Sequence, residues 1–137
     1  MDNLLFVYGT LMQPDNEFAV YLNSNCNFLS RGRVRGTLYD IGDYPGLIIN
    51  TKVTSIVHGN VYKMNVPAEI LKQLDFYEGV GPDEEQPNLY TREIRSIQTD
   101  NGSVEAWVYI YNLPVTGYKL ISSGNYAEYI KQKISRV

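Results

Sequence analysis

The sequence predicts an α+β domain whose antiparallel or mixed sheet curls towards a barrel. Many short strand-like segments and few helical ones run along the chain, a pattern typical of this class. Two of the strand-like segments are joined by a clear hairpin signal. The length of 137 residues, 44% of them hydrophobic, fits one compact domain with a real core. We therefore expect a single domain over residues 1–137.

The chain begins with a short apolar strand that ends at a glycine. Leucine, phenylalanine and valine occupy positions 4–7, and Tyr8, Gly9, Thr10 and Leu11 follow. Gly9 lets the backbone turn closely around a ligand because it has no Cβ atom. Successive N–H groups of such a turn can point at one anion. The end of this strand is therefore a candidate anion-binding loop, although many first strands end in this way.

A short helix and three strands are predicted next. Asp15 or Asn16 can cap a helix that runs to about Leu22. Gly32 and Gly36 lie within the following strand and indicate bends or the close approach of another backbone. The predicted strands cover residues 28–40, 47–49 and 56–64.

A second helix is predicted to start near Pro67 and to end at Glu78. Proline suits the first turn of a helix, and Gly79 stands where a left-handed C-terminal residue is expected. Residues 80–88 are rich in proline and acidic side chains, so we expect a loop there.

The clearest local signal is a hairpin formed by residues 90–98 and 104–111. Both segments alternate with period two, and Asn101-Gly102 predicts a two-residue type I′ turn between them. In this register one face carries Trp107, Tyr109 and Tyr111, and the other carries the smaller apolar residues at 104, 106, 108 and 110. A short final helix is expected over residues 125–133.

Composition excludes several classes of function. The formal net charge is −3 and no basic run of five residues occurs, so we expect no nucleic-acid partner. No apolar stretch is long enough to cross a membrane, and no secretory signal is visible, so we expect no membrane partner. A single cysteine fits a reducing compartment. The cytoplasm is therefore the expected location.

Glu78 is the most informative ionisable residue. At about 100° per residue, it continues the line of Leu71 and Leu74 along the apolar side of the helix. Burial and the negative end of the helix dipole would both raise its pKa, and a carboxyl group near neutrality can accept and return a proton. The alternative is that the helix frays at Tyr77 and leaves Glu78 in solvent.

Other candidate chemistries have weaker support. His58 is the only histidine, so a histidine metal cluster is impossible. Cys26 could pair with His58, but a small buried residue is the simpler interpretation of this cysteine. The acidic run at residues 83–85 lacks the regular ligand spacing of a calcium site. Asp75 could pair with Lys72 and is interpreted as structural. Of twelve tyrosines, we expect two to four to face a ligand.

Taken together, several short motifs resemble the γ-glutamylcyclotransferase-like superfamily in its AIG2-like branch. Their order and spacing extend over almost the whole chain. The motifs are Val7-Tyr8-Gly9-Thr10-Leu11, Tyr44-Pro45-Gly46-Leu47, Gly59-Asn60-Val61-Tyr62, Leu74-Asp75-x-x-Glu78-Gly79, Tyr90-Thr91-Arg92, Ala106-Trp107-Val108-Tyr109 and Ser123-Gly124-Asn125-Tyr126.

The resemblance implies a small mixed or antiparallel β-barrel flanked by a few helices, with a pocket at one end. It implies that a γ-glutamyl head group binds the loop after the first strand and that a glutamate acts as acid and base. The loop here reads Gly-Thr-Leu, which favours γ-glutamyl amines over free γ-glutamyl amino acids. The implied site consists of Glu78 for catalysis and Tyr8, Gly9, Thr10, Leu11 and Tyr111 for substrate binding.

The implied reaction releases 5-oxoproline and needs no metal or other cofactor. A small γ-glutamyl compound is then the expected partner of a monomer or weak homodimer. Two alternatives remain open at this stage. One is a non-catalytic module that binds a γ-glutamyl or other carboxylate-bearing ligand. The other is an interaction protein with an exposed tyrosine-rich surface.

Overall fold

The structure, a computed structural model, describes residues 3–9 and 16–135. Three helices and seven strands occur in these residues. In chain order they are β1 (Leu4–Val7), α1 (Glu17–Asn25), β2 (Cys26–Asp40), β3 (Pro45–Ile49), β4 (Ile56–Met64), α2 (Pro67–Glu78), β5 (Tyr90–Thr99), β6 (Gly102–Tyr111), β7 (Lys119–Leu120) and α3 (Tyr126–Ser135).

Five strands close into a barrel in the order β1, β4, β2, β5, β6. β6 returns to β1 through a parallel pairing of Leu5 with Trp107, whereas the other neighbours are antiparallel. β2 meets β5 where Arg33 pairs with Gln98. β3 and β7 both pair with the C-terminal half of β2, outside the closed ring. The α+β class and the barrel predicted from the sequence are therefore confirmed.

The core has two layers that meet across the barrel wall. The first consists of buried strand residues together with Tyr126 of α3, and includes Phe6, Val61, Ile97 and Val108. The second lies between the barrel and helices α1 and α2. It includes Leu5, Leu22, Met64, Ile70 and Leu74.

The β6 register predicted from sequence is also confirmed. Tyr109, Tyr111 and Trp107 belong to the layer beneath the helices, and the residues at 104, 106, 108 and 110 belong to the strand layer. From Ala106 onward both faces of this strand are covered, which explains why the side chains there are apolar or aromatic on both sides.

Local signals account for the ends of the helices. The Asn16 side chain accepts hydrogen bonds from the N–H groups of Phe18 and Ala19, at 2.8 and 3.1 Å, as expected of an N-cap residue. Asp15, the other candidate cap, lies outside the described residues. α1 continues three residues beyond Leu22 and leads directly into β2. Gly79 ends α2 with φ 70° and ψ 41°, the left-handed conformation predicted for it.

Two glycines of β2 permit close packing, as predicted. A Cβ atom on Gly32 would lie 2.8 Å from Cγ2 of Ile97 inside the barrel. On Gly36 it would collide with the carbonyl oxygen of Ile48 in the adjacent strand β3.

The predicted type I′ turn is wrong. Thr99 pairs with Gly102, so Asp100 and Asn101 form the loop. Type I′ requires positive φ at both central residues, but only Gly102, at 109°, has positive φ in this turn. The Thr99 hydroxyl donates to the Gly102 carbonyl at 2.7 Å and accepts from the Asn101 N–H at 3.2 Å. These side-chain bonds satisfy the turn without the left-handed asparagine that type I′ requires.

Among the described residues, none of the helices has the length and apolar character needed to span a membrane.

Candidate active site

A cavity opens where β1 ends, between the C-terminal end of α2 and the turn before β3. The cavity volume is about 30 Å³. Its described lining consists of Leu5, Phe6, Val7, Tyr8, Gly9, Tyr44, Pro45, Glu78, Tyr90 and Tyr109. The end of the first strand and the end of the second helix, which are about 70 residues apart in sequence, therefore share one cavity.

Glu78 reaches the cavity because α2 packs its apolar side on the barrel. Leu71 and Leu74 are buried, with 7% and 0% of their surface exposed, and Glu78 follows one turn later on the same side. α2 keeps its helical form through Glu78, so the fraying alternative is wrong.

Burial raises the pKa of Glu78 from about 4.5 to about 7. None of the residues described as lining the cavity is cationic, so no positive side chain there offsets the cost of burying the carboxylate. The carboxyl group can therefore exist in both protonation states near neutral pH. The contribution of the helix dipole stays a prediction.

Four of the twelve tyrosines line the cavity, and three of these donate their hydroxyl groups to acceptors of the protein itself. Tyr8 donates to the Tyr109 carbonyl at 2.6 Å, and Tyr90 donates to the Pro45 carbonyl at 2.6 Å. Tyr109 donates to the Asp75 carboxylate at 2.7 Å. These three bonds fix the rings, so the cavity wall presents aromatic surface more than free hydroxyl donors.

The same tyrosines are poor acids in this environment. Burial, followed by the charge of Glu78, raises the pKa of Tyr8 well above its ordinary value. Burial is also the main reason that the pKa values of Tyr90 and Tyr109 are raised. Among the lining residues whose pKa is shifted, only Glu78 has a pKa that moves towards 7.

Gly9 lies beside the cavity and close to the turn before β3. A Cβ atom at this position would lie 2.7 Å from Cγ of Pro45, so a larger residue would push apart two segments of the wall. Thr10 and Leu11, the rest of the predicted anion-binding loop, lie outside the described residues. Binding of an anion by this loop stays a prediction.

Tyr111 is set back from the cavity. It is not among the described lining residues, and its ring contacts the edge of Tyr90 at a centroid distance of 5.6 Å. Burial and then the neighbouring Tyr118 raise its pKa. Tyr111 therefore packs against Tyr90, which is a residue of the cavity wall. Its role in substrate binding stays a prediction.

The sequence prediction missed Tyr44, Tyr90 and Tyr109 as site residues. Tyr109 shares a strand face with Tyr111, so the alternation of β6 could have indicated it. Tyr44 and Tyr90 belong to motifs singled out in the sequence, but no local pattern shows that the two segments converge.

Asp75 has a different partner from the one predicted. Its carboxylate binds the Arg92 guanidinium through two bonds, Nε to Oδ1 at 2.8 Å and Nη2 to Oδ2 at 3.1 Å. The prediction of a pair with Lys72 is wrong, because the barrel brings a strand arginine and the Tyr109 hydroxyl to the same carboxylate. A planar guanidinium fits this two-point contact better than a lysine on the same helix.

Cys26 and His58 lie far apart. Cys26 pairs with Met64 at one end of the ladder between β2 and β4, and His58 pairs with Arg33 seven residues along β2. This separation is roughly 23 Å along the strand. Burial raises the pKa of the Cys26 thiol to about 11, which agrees with an inert buried residue. Within residues 3–9 and 16–135, no three His, Cys, Asp or Glu side chains are grouped so as to hold a metal ion.

The fold and the cavity define a small closed-barrel protein in which a carboxyl group from the end of α2, a candidate acid–base group, borders a cavity at the end of β1. Comparison with protein families makes this more specific. The model of the family described as "Gamma-glutamyl cyclotransferase, AIG2-like" matches residues 5–128. The chain belongs to this family.

Individual relatives agree with the assignment. The Escherichia coli gamma-glutamylcyclotransferase family protein YtfP is 31% identical over 131 residues, which cover 90% of this chain and 96% of YtfP. The crystal structure of YkqA from Bacillus subtilis superposes with a TM-score of 0.75 at 26% identity, over 98% of this chain and 43% of YkqA. A mouse AIG2-like protein has the same fold, with a TM-score of 0.71 at 24% identity over 90% of this chain and 87% of its own.

Proposed function

We propose that this protein is a γ-glutamylcyclotransferase-type enzyme that releases 5-oxoproline from a γ-glutamyl amine or another γ-glutamylated small molecule. Glu78 acts as its general acid and base. The observation that carries the proposal is the Glu78 carboxyl group, with a pKa of about 7, in an aromatic cavity beside Gly9. Membership of the cyclotransferase family supports the reaction class.

The reaction needs one group that first accepts and then returns a proton. In the proposed mechanism the Glu78 carboxylate removes a proton from the substrate α-ammonium group. The freed nitrogen attacks the γ-carbonyl carbon and forms the new C–N bond of the five-membered ring. The protonated Glu78 then gives its proton to the departing nitrogen as the original amide C–N bond breaks. The ring nitrogen still carries two protons after the attack, and it loses one of them to the Glu78 carboxylate, which passes it to the released amine. The products are 5-oxoproline and the amine as its ammonium ion, and Glu78 is again a carboxylate.

A pKa near 7 suits both halves of this cycle. A carboxyl group with an ordinary pKa would be ionised at neutral pH but would be a weak base towards an ammonium group. Raising the pKa makes the carboxylate a stronger base while a useful fraction stays ionised at pH 7. The cavity wall provides this change by burying Glu78 without supplying a cation.

The cavity also favours an ammonium group as the part of the substrate that approaches Glu78. The faces of aromatic rings attract cations, and Tyr8, Tyr44, Tyr90 and Tyr109 all contribute to the wall. The α-carboxylate of the substrate, or the oxyanion that develops on the γ-carbonyl oxygen, would be held by backbone N–H groups of the loop from Gly9 to Leu11. Holding the two reacting ends of one molecule together can lower the barrier by roughly 7–11 kcal/mol in favourable cases.

The decisive experiment compares Glu78→Gln with Glu69→Gln. Both substitutions remove one carboxyl group from α2, but Glu69 is exposed in the first turn and is absent from the described cavity lining. Wild type and Glu69→Gln should release 5-oxoproline from members of a panel of γ-glutamyl amines, whereas Glu78→Gln should not. If Glu78→Gln and Glu69→Gln turn over equally well, the proposed role of Glu78 is wrong.

The same panel separates an enzyme from a binding module. Calorimetry with each compound measures binding, and product analysis measures turnover. Binding by wild type without any release of 5-oxoproline would identify a non-catalytic module for γ-glutamyl ligands.

We further propose that turnover is independent of a metal and that the protein acts as a monomer or weak homodimer in the cytoplasm. Equal rates before and after treatment with EDTA would support metal independence. Light scattering during size-exclusion chromatography would measure the oligomeric state. A requirement for added metal ions would overturn the mechanism written above.

A further inference from the structure

We propose that the ion pair between Arg92 and Asp75 positions the candidate catalytic group: it holds the Tyr109 ring against the cavity and anchors the last turn of α2, from which Glu78 projects. This inference rests on the proposed function. Arg92 and Asp75 do not line the cavity, so they are positioning residues that act through their neighbours.

The contacts form a continuous connection from the protein surface to the cavity. The Arg92 guanidinium holds both oxygens of Asp75 and lies 4.4 Å above the Trp107 ring. Asp75 accepts the Tyr109 hydroxyl at 2.7 Å, and the Tyr109 carbonyl accepts the Tyr8 hydroxyl at 2.6 Å. The Asp75 carboxylate thus joins α2 to β5 and β6, and the Tyr109 carbonyl joins β6 to the end of β1.

Helix geometry transmits this anchor to Glu78. Asp75 and Glu78 are three residues apart on α2, so their side chains leave the helix from neighbouring positions. The side chains of Arg92 and Asp75 are about one-quarter exposed, at 24% and 23%, so the pair is partly shielded from solvent. A two-point contact in this setting restricts the rotation and sliding of the last helical turn more than a single exposed hydrogen bond can.

Charge gives the proposal a signature that packing alone lacks. The shifted ionisable groups around Glu78 are Tyr8 of β1, Tyr90 of β5 and Tyr109 of β6, whose high pKa values keep them uncharged near neutral pH. Tyr44 of the turn before β3 also faces the cavity. The charged pair that contacts this lining is Asp75 with Arg92, which reaches it through the Tyr109 hydroxyl and is neutral as a pair. Removing Arg92 leaves the negative charge of Asp75 on this side of the cavity, and removing Asp75 leaves the positive charge of Arg92.

The first test compares the pH profiles of three variants with that of wild type. Arg92→Met removes the cation and leaves the negative Asp75 unpaired, which should move the acid limb of the pH profile of kcat/KM upward by roughly half a unit to one unit. Asp75→Asn leaves the positive Arg92 unpaired and should move this limb downward by a similar amount. Arg95→Met is the matched control, because Arg95 lies on the same strand but binds the exposed Glu93 at 2.7 Å. Arg95→Met should keep the wild-type limb.

The rate constants provide a second readout. Arg92→Met should lower kcat by roughly 10- to 100-fold with a smaller change in KM, because misplacement of a reacting group by about 1 Å has an effect of this size. Arg92→Lys restores the charge without the two-point contact. It should return the acid limb to the wild-type position while kcat recovers only in part. The proposal would be overturned if Arg92→Met and Asp75→Asn both kept the wild-type kcat and the wild-type acid limb. It would also be overturned if the acid limbs of the two variants moved in the same direction.

A spectroscopic titration separates this proposal from the proposed function. If wild type releases no 5-oxoproline, the proposed function fails. The carboxyl carbon of Glu78 can still be followed by NMR in the same proteins without substrate. Opposite displacements of its titration in Arg92→Met and Asp75→Asn would support the positioning role, and coincident titrations would overturn it. If Arg92→Met does not fold, the sign of the displacement in Asp75→Asn, measured against Arg95→Met, decides the question.

Discussion

Two carboxyl groups, one at the end of β2 and one at the end of α2, respond to burial in contrasting ways. Asp40 ends β2 and accepts hydrogen bonds from the Tyr129 hydroxyl at 2.6 Å, the Lys133 ammonium group at 3.0 Å and the Gly42 N–H at 2.9 Å. Glu78 ends α2 and lines a cavity in which no described side chain is cationic. Burial acts to raise the pKa of both groups. At Asp40 the hydrogen bonds and the lysine charge outweigh it, and the pKa falls below its ordinary value.

The difference teaches that hydrogen-bond donors and a nearby cation at Asp40, and burial without a described cation at Glu78, separate a structural carboxylate from a candidate acid–base group in this protein. Asp40 joins β2 to α3 and is held in its charged form. Glu78 has a pKa of about 7 and can change its charge near neutral pH. Predictions that exchange or remove these features test the contrast directly.

The largest expected effect is on turnover. Glu78→Gln should lower kcat/KM for 5-oxoproline release at least about 100-fold, which is the usual loss when a general acid–base group is removed. Asp40→Asn should stay within about twofold of wild type, because Asp40 is not among the described lining residues. Steady-state assays of both variants at pH 7.5 measure the difference. A similar loss in the two variants would remove the distinction between the sites.

The next effect is the pH dependence of turnover. Because Glu78 must be ionised to accept the substrate proton, kcat/KM of wild type should fall below a pKa of about 7, approaching tenfold per pH unit. Asp40→Asn should show the same acid limb. A profile that stays flat from pH 5 to pH 8 would contradict the assignment of Glu78 as the base.

Stability should change in opposite directions at the two sites. The folded-state pKa of Glu78 is raised, so its favourable contribution is complete below about pH 4.5 and is lost as the pH rises through about 7. At pH 8, Glu78→Gln should therefore increase the free energy of unfolding by about 1–3 kcal/mol. This gain should shrink towards pH 5.

The contribution of Asp40 to stability depends on pH in the opposite sense, because its folded-state pKa is lowered. Its contribution is present at neutral pH and is lost as the pH falls through the lowered folded-state value. Asp40→Asn should decrease the free energy of unfolding by about 1–3 kcal/mol at pH 8. Urea titrations of wild type and both variants measure these values, and changes of the same sign in both variants would contradict the contrast.

The smallest expected effect belongs to Lys133. Its side chain is 47% exposed, so solvent screens its attraction to Asp40. Lys133→Met should lower the free energy of unfolding by less than about 1 kcal/mol, and adding 0.5 M salt should reduce this difference further. A loss larger than that of Asp40→Asn would show that the lysine, and not the Tyr129 hydroxyl, is the main donor to Asp40.

Much of the secondary structure could be predicted because its signals are local. The cap at Asn16, the left-handed Gly79 and the alternation of β6 each depend on residues within one or two turns or on one strand. The helical spacing from Leu74 to Glu78 indicated in the same way that a carboxyl group continues the buried side of α2.

The predictions that failed involve partners distant in sequence or competing local bonds. Asp75 pairs with Arg92 because barrel closure brings β5 beneath α2, whereas the helical neighbour Lys72 was the only partner that local spacing could suggest. The turn at Asp100 and Asn101 differs from type I′ because the Thr99 hydroxyl forms hydrogen bonds with Gly102 and Asn101. The prediction considered only the Asn-Gly pair and not this neighbouring side chain. The role of Tyr111 in substrate binding, implied by the family resemblance, stays a prediction, and its ring packs against that of Tyr90.

The alternation of β6, the two ends of α2 and the place of Glu78 on the buried side of that helix followed from the sequence alone, because each is set by backbone geometry over a few residues. Only the tertiary structure decided that the end of β1 and the end of α2 border one cavity, and that four tyrosine rings but no described cation surround the carboxyl group. The physical reason is that closing the barrel is a sum of many weak contacts between distant segments, and the pKa of Glu78 depends on which groups that closure places around it.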